Sequence, residues 1–65
     1  MNYKRRLKGL RIIKGLTQNE MAQLLDMPKS TYIKKENGKS SFSIEEAIGL
    51  SRVLGLSIDN IFLNN

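Results

Sequence analysis

The sequence contains no cysteine and no histidine. Without cysteine there is no disulfide, and without either residue there is no ordinary zinc site, so the usual staples of a small domain are absent. A chain of 65 residues buries only about 60% of the surface that its unfolded form exposes. Stability is therefore expected from regular helices packed through leucine and isoleucine, helped by a second subunit. No apolar run is longer than a few residues, which excludes a membrane span, and nothing has the pattern of a signal peptide. The absence of cysteine suits a reducing compartment, so the expected location is cytoplasmic. Catalysis is also poorly provided for. Ser30, Ser40, Ser41 and Ser43 have no histidine to activate them. The adjacent Glu45 and Glu46 diverge on a helix and form no acid–base dyad. The reading is of a non-enzyme with no cofactor, no metal and no evident small-molecule ligand.

What the chain does have is positive charge, unevenly placed. The net charge is +5. Residues 1–15 carry Lys4, Arg5, Arg6, Lys8, Arg11 and Lys14 with no acid. Residues 29–40 add Lys29, Lys34, Lys35 and Lys39 against Glu36 alone. The rest is net acidic, with Glu20, Asp26, Glu45, Glu46 and Asp59 against Arg52. Segregation of this kind points to a polyanionic partner, the alternative being a basic solubilising surface.

The pattern is helical throughout, with no strand alternation, repeat or low-complexity linker. Tyr3, Leu7 and Leu10 recur at helical spacing, predicting a first helix over 3–14 closed by Gly15. Thr17 with Glu20 forms a capping box that opens a second helix, whose apolar face is Met21, Leu24 and Leu25 with Ala22 beside them. Asp26-Met27-Pro28 ends it. A third helix is predicted from Pro28, at the first helical position, to Asn37, with Gly38 as its stop. Ser43 with Glu46 repeats the capping box and starts a helix with Ile44, Ala47, Ile48, Leu50, Ser51, Val53 and Leu54 inside, ended by Gly55. Ser57 caps a short last helix containing Ile58, Ile61 and Phe62. The expected fold is all-α, a compact five-helix domain filling residues 1–65.

The third helix buries little. Tyr32 and Ile33 are its only large apolar residues, and Lys29 sits where the helix dipole disfavours a cation by roughly a few tenths of a kcal/mol. A turn of about four residues joins it to the second helix, a spacing that suits a helix-turn-helix whose second helix enters a DNA major groove. Tyr32 then anchors the helix, and Lys29, Ser30, Ile33 and Lys34 face outward.

The stretches GLTQNEMAQLLDMPKSTYIKKENGK and SIEEAIGLSRVLGLSIDNIF together resemble the XRE-type helix-turn-helix regulators, relatives of the phage repressor and Cro proteins. The resemblance spans residues 3–63 and implies a repressor-like domain that binds double-stranded DNA as a homodimer on an inverted-repeat operator. It places Lys29, Ser30, Ile33 and Lys34 at base edges and Gln18, Arg11, Thr31, Asn37 and Lys39 at the DNA backbone. It also implies an Arg11–Glu36 ion pair between the first and third helices. Lysine donors suit guanine, and Ile33 suits a thymine methyl. The sequence departs from the pattern at Pro28, Lys35, Phe42, Ile12 and Ile13; the Lys35 stem is expected to pack while its ammonium reaches solvent. One of Ile12 and Ile13 is expected at the surface. Phe42, Ile58 and Leu63 are dimer-interface candidates, with packing inside the monomer as the alternative. The expected function is operator occupancy by a repressor that is nucleoid-associated when bound. An antitoxin that covers a protein partner with its apolar C-terminal face and regulates its own synthesis is the alternative.

Overall fold

The computed structural model describes residues 3–63. Four α-helices follow in order: α1 over Lys4–Ile13, α2 over Gln18–Leu24, α3 over Lys29–Glu36 and α4 over Ile44–Leu54. A single π-helical turn, α5, covers Asp59–Leu63. There is no strand among the described residues.

The helix starts are local and legible. Thr17 Oγ1 accepts from the Glu20 N–H while the Glu20 carboxylate accepts from the Thr17 N–H, and Ser43 and Glu46 repeat the exchange at α4. The helix stops share one geometry. After α1, α2 and α3, the residue past the cap adopts a positive φ, and two N–H groups fold back onto the last-turn carbonyls. At α3, Gly38 donates to the Lys35 carbonyl and Lys39 to that of Lys34. At α2 the left-handed position, φ 57°, is held by Asp26, a residue type that tolerates it. Pro28 stands one position earlier than expected: its ψ of 145° makes it the N-cap, without a side-chain hydrogen bond, and Lys29 is the first helical residue.

The core consists of Leu7, Met21, Ala22, Tyr32, Leu50, Leu54 and Ile61. Ala22 is small enough for α2 and α3 to pack closely. Gly49 allows a second close approach, since a Cβ there would lie 2.9 Å from Leu25 Cδ2. Tyr3, Phe42 and Phe62 stack edge-on or tilted with centroids 5.1–5.9 Å apart, and Tyr32 meets Phe42 at 6.1 Å.

Several residues expected inside are outside. Ile44 is 79% exposed and Ile48 39%, because the rotation of α4 that buries Leu50 and Leu54 turns both isoleucines to the opposite side. Leu24 is 57% exposed for the same reason on α2, where Met21 and Ala22 take the core face. Ile12 and Ile13 are both at the surface, not one of them. In the last turn Ile61 is buried while Ile58 is not. Ser57 caps that turn as expected, its Oγ accepting from the Asn60 N–H at 3.2 Å.

Candidate nucleic-acid interface

Four residues spaced i, i+1, i+4 and i+5 share one face of a helix. On α3 these are Lys29, Ser30, Ile33 and Lys34, with the buried Tyr32 and Glu36 on the adjoining face. Lys29, Ser30 and Lys34 are exposed and Ile33 is half-buried. Neither lysine has a salt-bridge partner among the described residues. Thr31 sits half-buried at the side of this face, while Asn37 and Lys39 are exposed in the turn that follows.

The orientation of α3 is fixed from behind by a carboxylate. Glu36, 1% exposed, receives Arg11 Nε at 2.9 Å, Arg11 Nη2 at 3.3 Å, Tyr32 Oη at 2.5 Å and Gln18 Nε2 at 3.1 Å. Every helix of the N-terminal half thus donates to one group. Burial alone pushes the Glu36 carboxyl up, but the donors from Arg11, Tyr32 and Gln18 outweigh it and hold it below its ordinary range. Burial, then the adjoining carboxylate, pushes the Tyr32 hydroxyl well above its ordinary value. Buried charge is tolerable here because both partners are bonded on several sides.

Arg11 has a structural position. It is 6% exposed, and its Nη1 also donates to the Leu16 carbonyl at 2.6 Å, clamping the turn that leaves α1. Its side chain is thereby engaged in the interior, with little of its surface exposed. Gln18 is placed differently. A primary amide has two N–H donors, and Glu36 occupies one, leaving the other without a hydrogen bond to any described residue. The link between Gln18 and Glu36 had no signal in the sequence, since it joins residues 18 positions apart.

Lys35 corrects another expectation. Its ammonium does not reach out to solvent but binds both oxygens of Glu46, at 2.6 and 2.8 Å. That pair ties the end of α3 to the first turn of α4, and the Lys35 hydrogen bond, followed by the Ser43 N–H, holds the Glu46 carboxyl below its ordinary value. The Lys35 carbonyl also accepts from Tyr3 Oη at 2.8 Å. Among the dimer-interface candidates, Phe42 is half-buried in the aromatic cluster, and Ile58 and Leu63 lie at the surface. No helix is long and apolar enough to cross a membrane, and no three acidic residues gather as a metal site would require, among the described residues.

A short helix capped over a left-handed turn, followed by a second helix with an unpartnered cationic face, defines a helix-turn-helix. The helix-turn-helix family profile matches residues 7–61, and the chain belongs to this family of DNA-binding domains. It is similar to an uncharacterized HTH-type transcriptional regulator of Methanocaldococcus jannaschii, with 33% identity over 60 residues that cover 92% of this chain and 91% of the relative. No solved structure matches the chain.

Proposed function

We propose that this protein is a sequence-specific transcriptional regulator of the XRE type, a repressor that occupies an inverted-repeat operator as a homodimer. The observation that carries this reading is the outward face of α3, where Lys29 and Lys34 flank Ser30 and Ile33 with no salt-bridge partner among the described residues. A helix fits the major groove, where lysine reaches guanine O6 and N7 and an aliphatic side chain meets a thymine methyl. Gln18, Asn37 and Lys39 border this face and hold backbone phosphates. Arg5 and Lys8, exposed on α1, raise the positive potential around the complex. Thr31 lies at the edge of the face as a further backbone contact. The relative's designation as a transcriptional regulator supports the same reading.

The test is selection of binders from a randomised duplex library, followed by affinity measurements across a salt series. Enrichment of an inverted repeat, bound far more tightly than random duplex at every salt, is the expected outcome. Binding without an enriched sequence, weakening uniformly with salt, would reduce the activity to counterion release and remove sequence reading from the protein.

A further inference from the structure

α4 buries one side and leaves a narrow stripe on the other. At about 100° per residue, Ile44, Ile48, Arg52 and Glu45 fall within a single arc of about 100°, opposite Leu50 and Leu54. All four are exposed, Ile44 by 79% and Ile48 by 39%. Glu45 and Arg52 form no ion pair or hydrogen bond with any described residue. They lie two helical turns apart on the same edge of the stripe, about 10 Å along the axis.

We propose that this stripe is the seat of a second copy of the chain, with the two α4 helices running antiparallel about a two-fold axis passing between Ile48 and Gly49. The proposal deepens the homodimer of the preceding section and rests on that reading. The charge order selects the arrangement. A two-fold axis perpendicular to the helices brings position 45 of one copy opposite position 52 of the other, because both are equally distant from the midpoint. Each Glu45 then faces the Arg52 of its mate, and two opposite-charge contacts flank Ile48 against Ile48. A parallel arrangement would put each charge level with its own kind on the far edge of the stripe, so neither opposite-charge contact would form. Isologous pairing of one surface with itself is the commonest route to a dimer.

The position of the stripe is also favourable. Copies of a +5 chain repel each other, but α4 lies in the acid-biased half, and the cationic face of α3 shares no residue with it. One helix face from each partner is small against the roughly 1,200 Å² or more of a stable interface, so the dimer is weak and concentration-dependent in free solution. A weak dimer couples operator binding to protein concentration, since two half-sites on one duplex bring the copies together.

Sedimentation equilibrium of the whole chain without DNA, from about 1 μM to about 1 mM, measures the association directly. The expected result is reversible dimerisation, weakened at least about tenfold by Glu45→Arg or by Arg52→Glu alone and recovered in the double exchange. Ile48→Asp is expected to abolish it. These positions are exposed, and matching thermal melts separate loss of association from loss of fold. Wild-type protein that stays monomeric to the highest concentration would overturn the proposal, as would single charge reversals without effect or a double exchange that fails to recover. Affinity of the Ile48→Asp variant for an isolated half-site, equal to that of the wild type, reports the DNA face independently. Loss of duplex binding with dimerisation intact would therefore indict the DNA reading and not the interface.

Discussion

Two regions of this small molecule hold together by different physics. Where α1, α2 and α3 meet, the apolar contacts of Leu7, Met21 and Ala22 surround a polar centre, with Glu36 accepting from Arg11, Gln18 and Tyr32. Where α4 and the last turn close the domain, the contacts are aliphatic and aromatic: Leu50, Leu54 and Ile61, with Phe42 and Phe62 beside them. Hydrophobic contact is non-directional and tolerates some rotation of a helix about its axis. A carboxylate with several fixed donors does not tolerate it, because each bond has a preferred length and angle. The directional half carries the helix that must present one face outward. The apolar half supplies burial and leaves its own outer stripe free.

Breaking the polar centre is expected to have the largest effect. Glu36→Ala leaves the Arg11 charge and the Tyr32 hydroxyl buried without their acceptor and should cost about 3–5 kcal/mol in urea denaturation. Leu50→Ala removes apolar contacts from the other half and should cost about 2–4 kcal/mol, close to the lower figure. If Glu36→Ala costs under about 1 kcal/mol, the contrast between the halves fails. In a domain this small, either variant can unfold outright, in which case the comparison is made between Glu36→Gln and Leu50→Val.

Truncating the outward face should leave stability alone and act on DNA. Lys29→Ala or Lys34→Ala is expected to cost about 1–3 kcal/mol on the selected operator and to relax preference at one base pair. Parallel duplex titrations and melts check it: equal losses on every sequence would reassign the lysine to a phosphate contact. Loss of the α4 cap through Ser43→Ala is expected to cost about 1 kcal/mol, read as a lowered melting temperature.

Acidification gives a graded test of the same contrast. The Glu36 carboxyl lies below its ordinary value of 4.5, as do those of Glu46 and Glu20. The unfolded chain therefore takes up protons first as pH falls. Stability from these groups is complete above the ordinary carboxylate range and declines as pH drops through it toward their lowered values. Glu36→Gln should flatten the acid limb of the stability curve, whereas Leu50→Val should shift the whole curve down without changing its shape. An acid limb identical in both variants would show that Glu36 does not carry it.

Local signals were the legible ones. The Thr17–Glu20 and Ser43–Glu46 capping boxes, the Gly15, Gly38 and Gly55 stops and the Asp26 turn each depend on residues within a few positions of one another, and each is formed. The exposed face of α3 was visible in the scarcity of apolar residues there. The Arg11–Glu36 pair came only from family resemblance, since nothing local joins residues 25 apart, and it is formed at 2.9 Å. Misplacements concentrate on α4. Ile44 and Ile48 are as apolar as the residues that are buried, and periodicity alone does not say which of two overlapping arcs meets the rest of the chain.

The sequence by itself determined where the helices begin and end, that they are the sole element type, and that positive charge collects on two of them. Capping, helix propensity and charge are properties of neighbouring residues, so they need no knowledge of the fold. Tertiary structure decided the rotation of each helix: which side of α4 is buried, that Arg11 turns inward, that Lys35 reaches Glu46, and that Gln18 leans on Glu36. Those outcomes depend on how several helices share one small interior, where burying Leu50 and Leu54 on one side of α4 leaves Ile44 and Ile48 on the other.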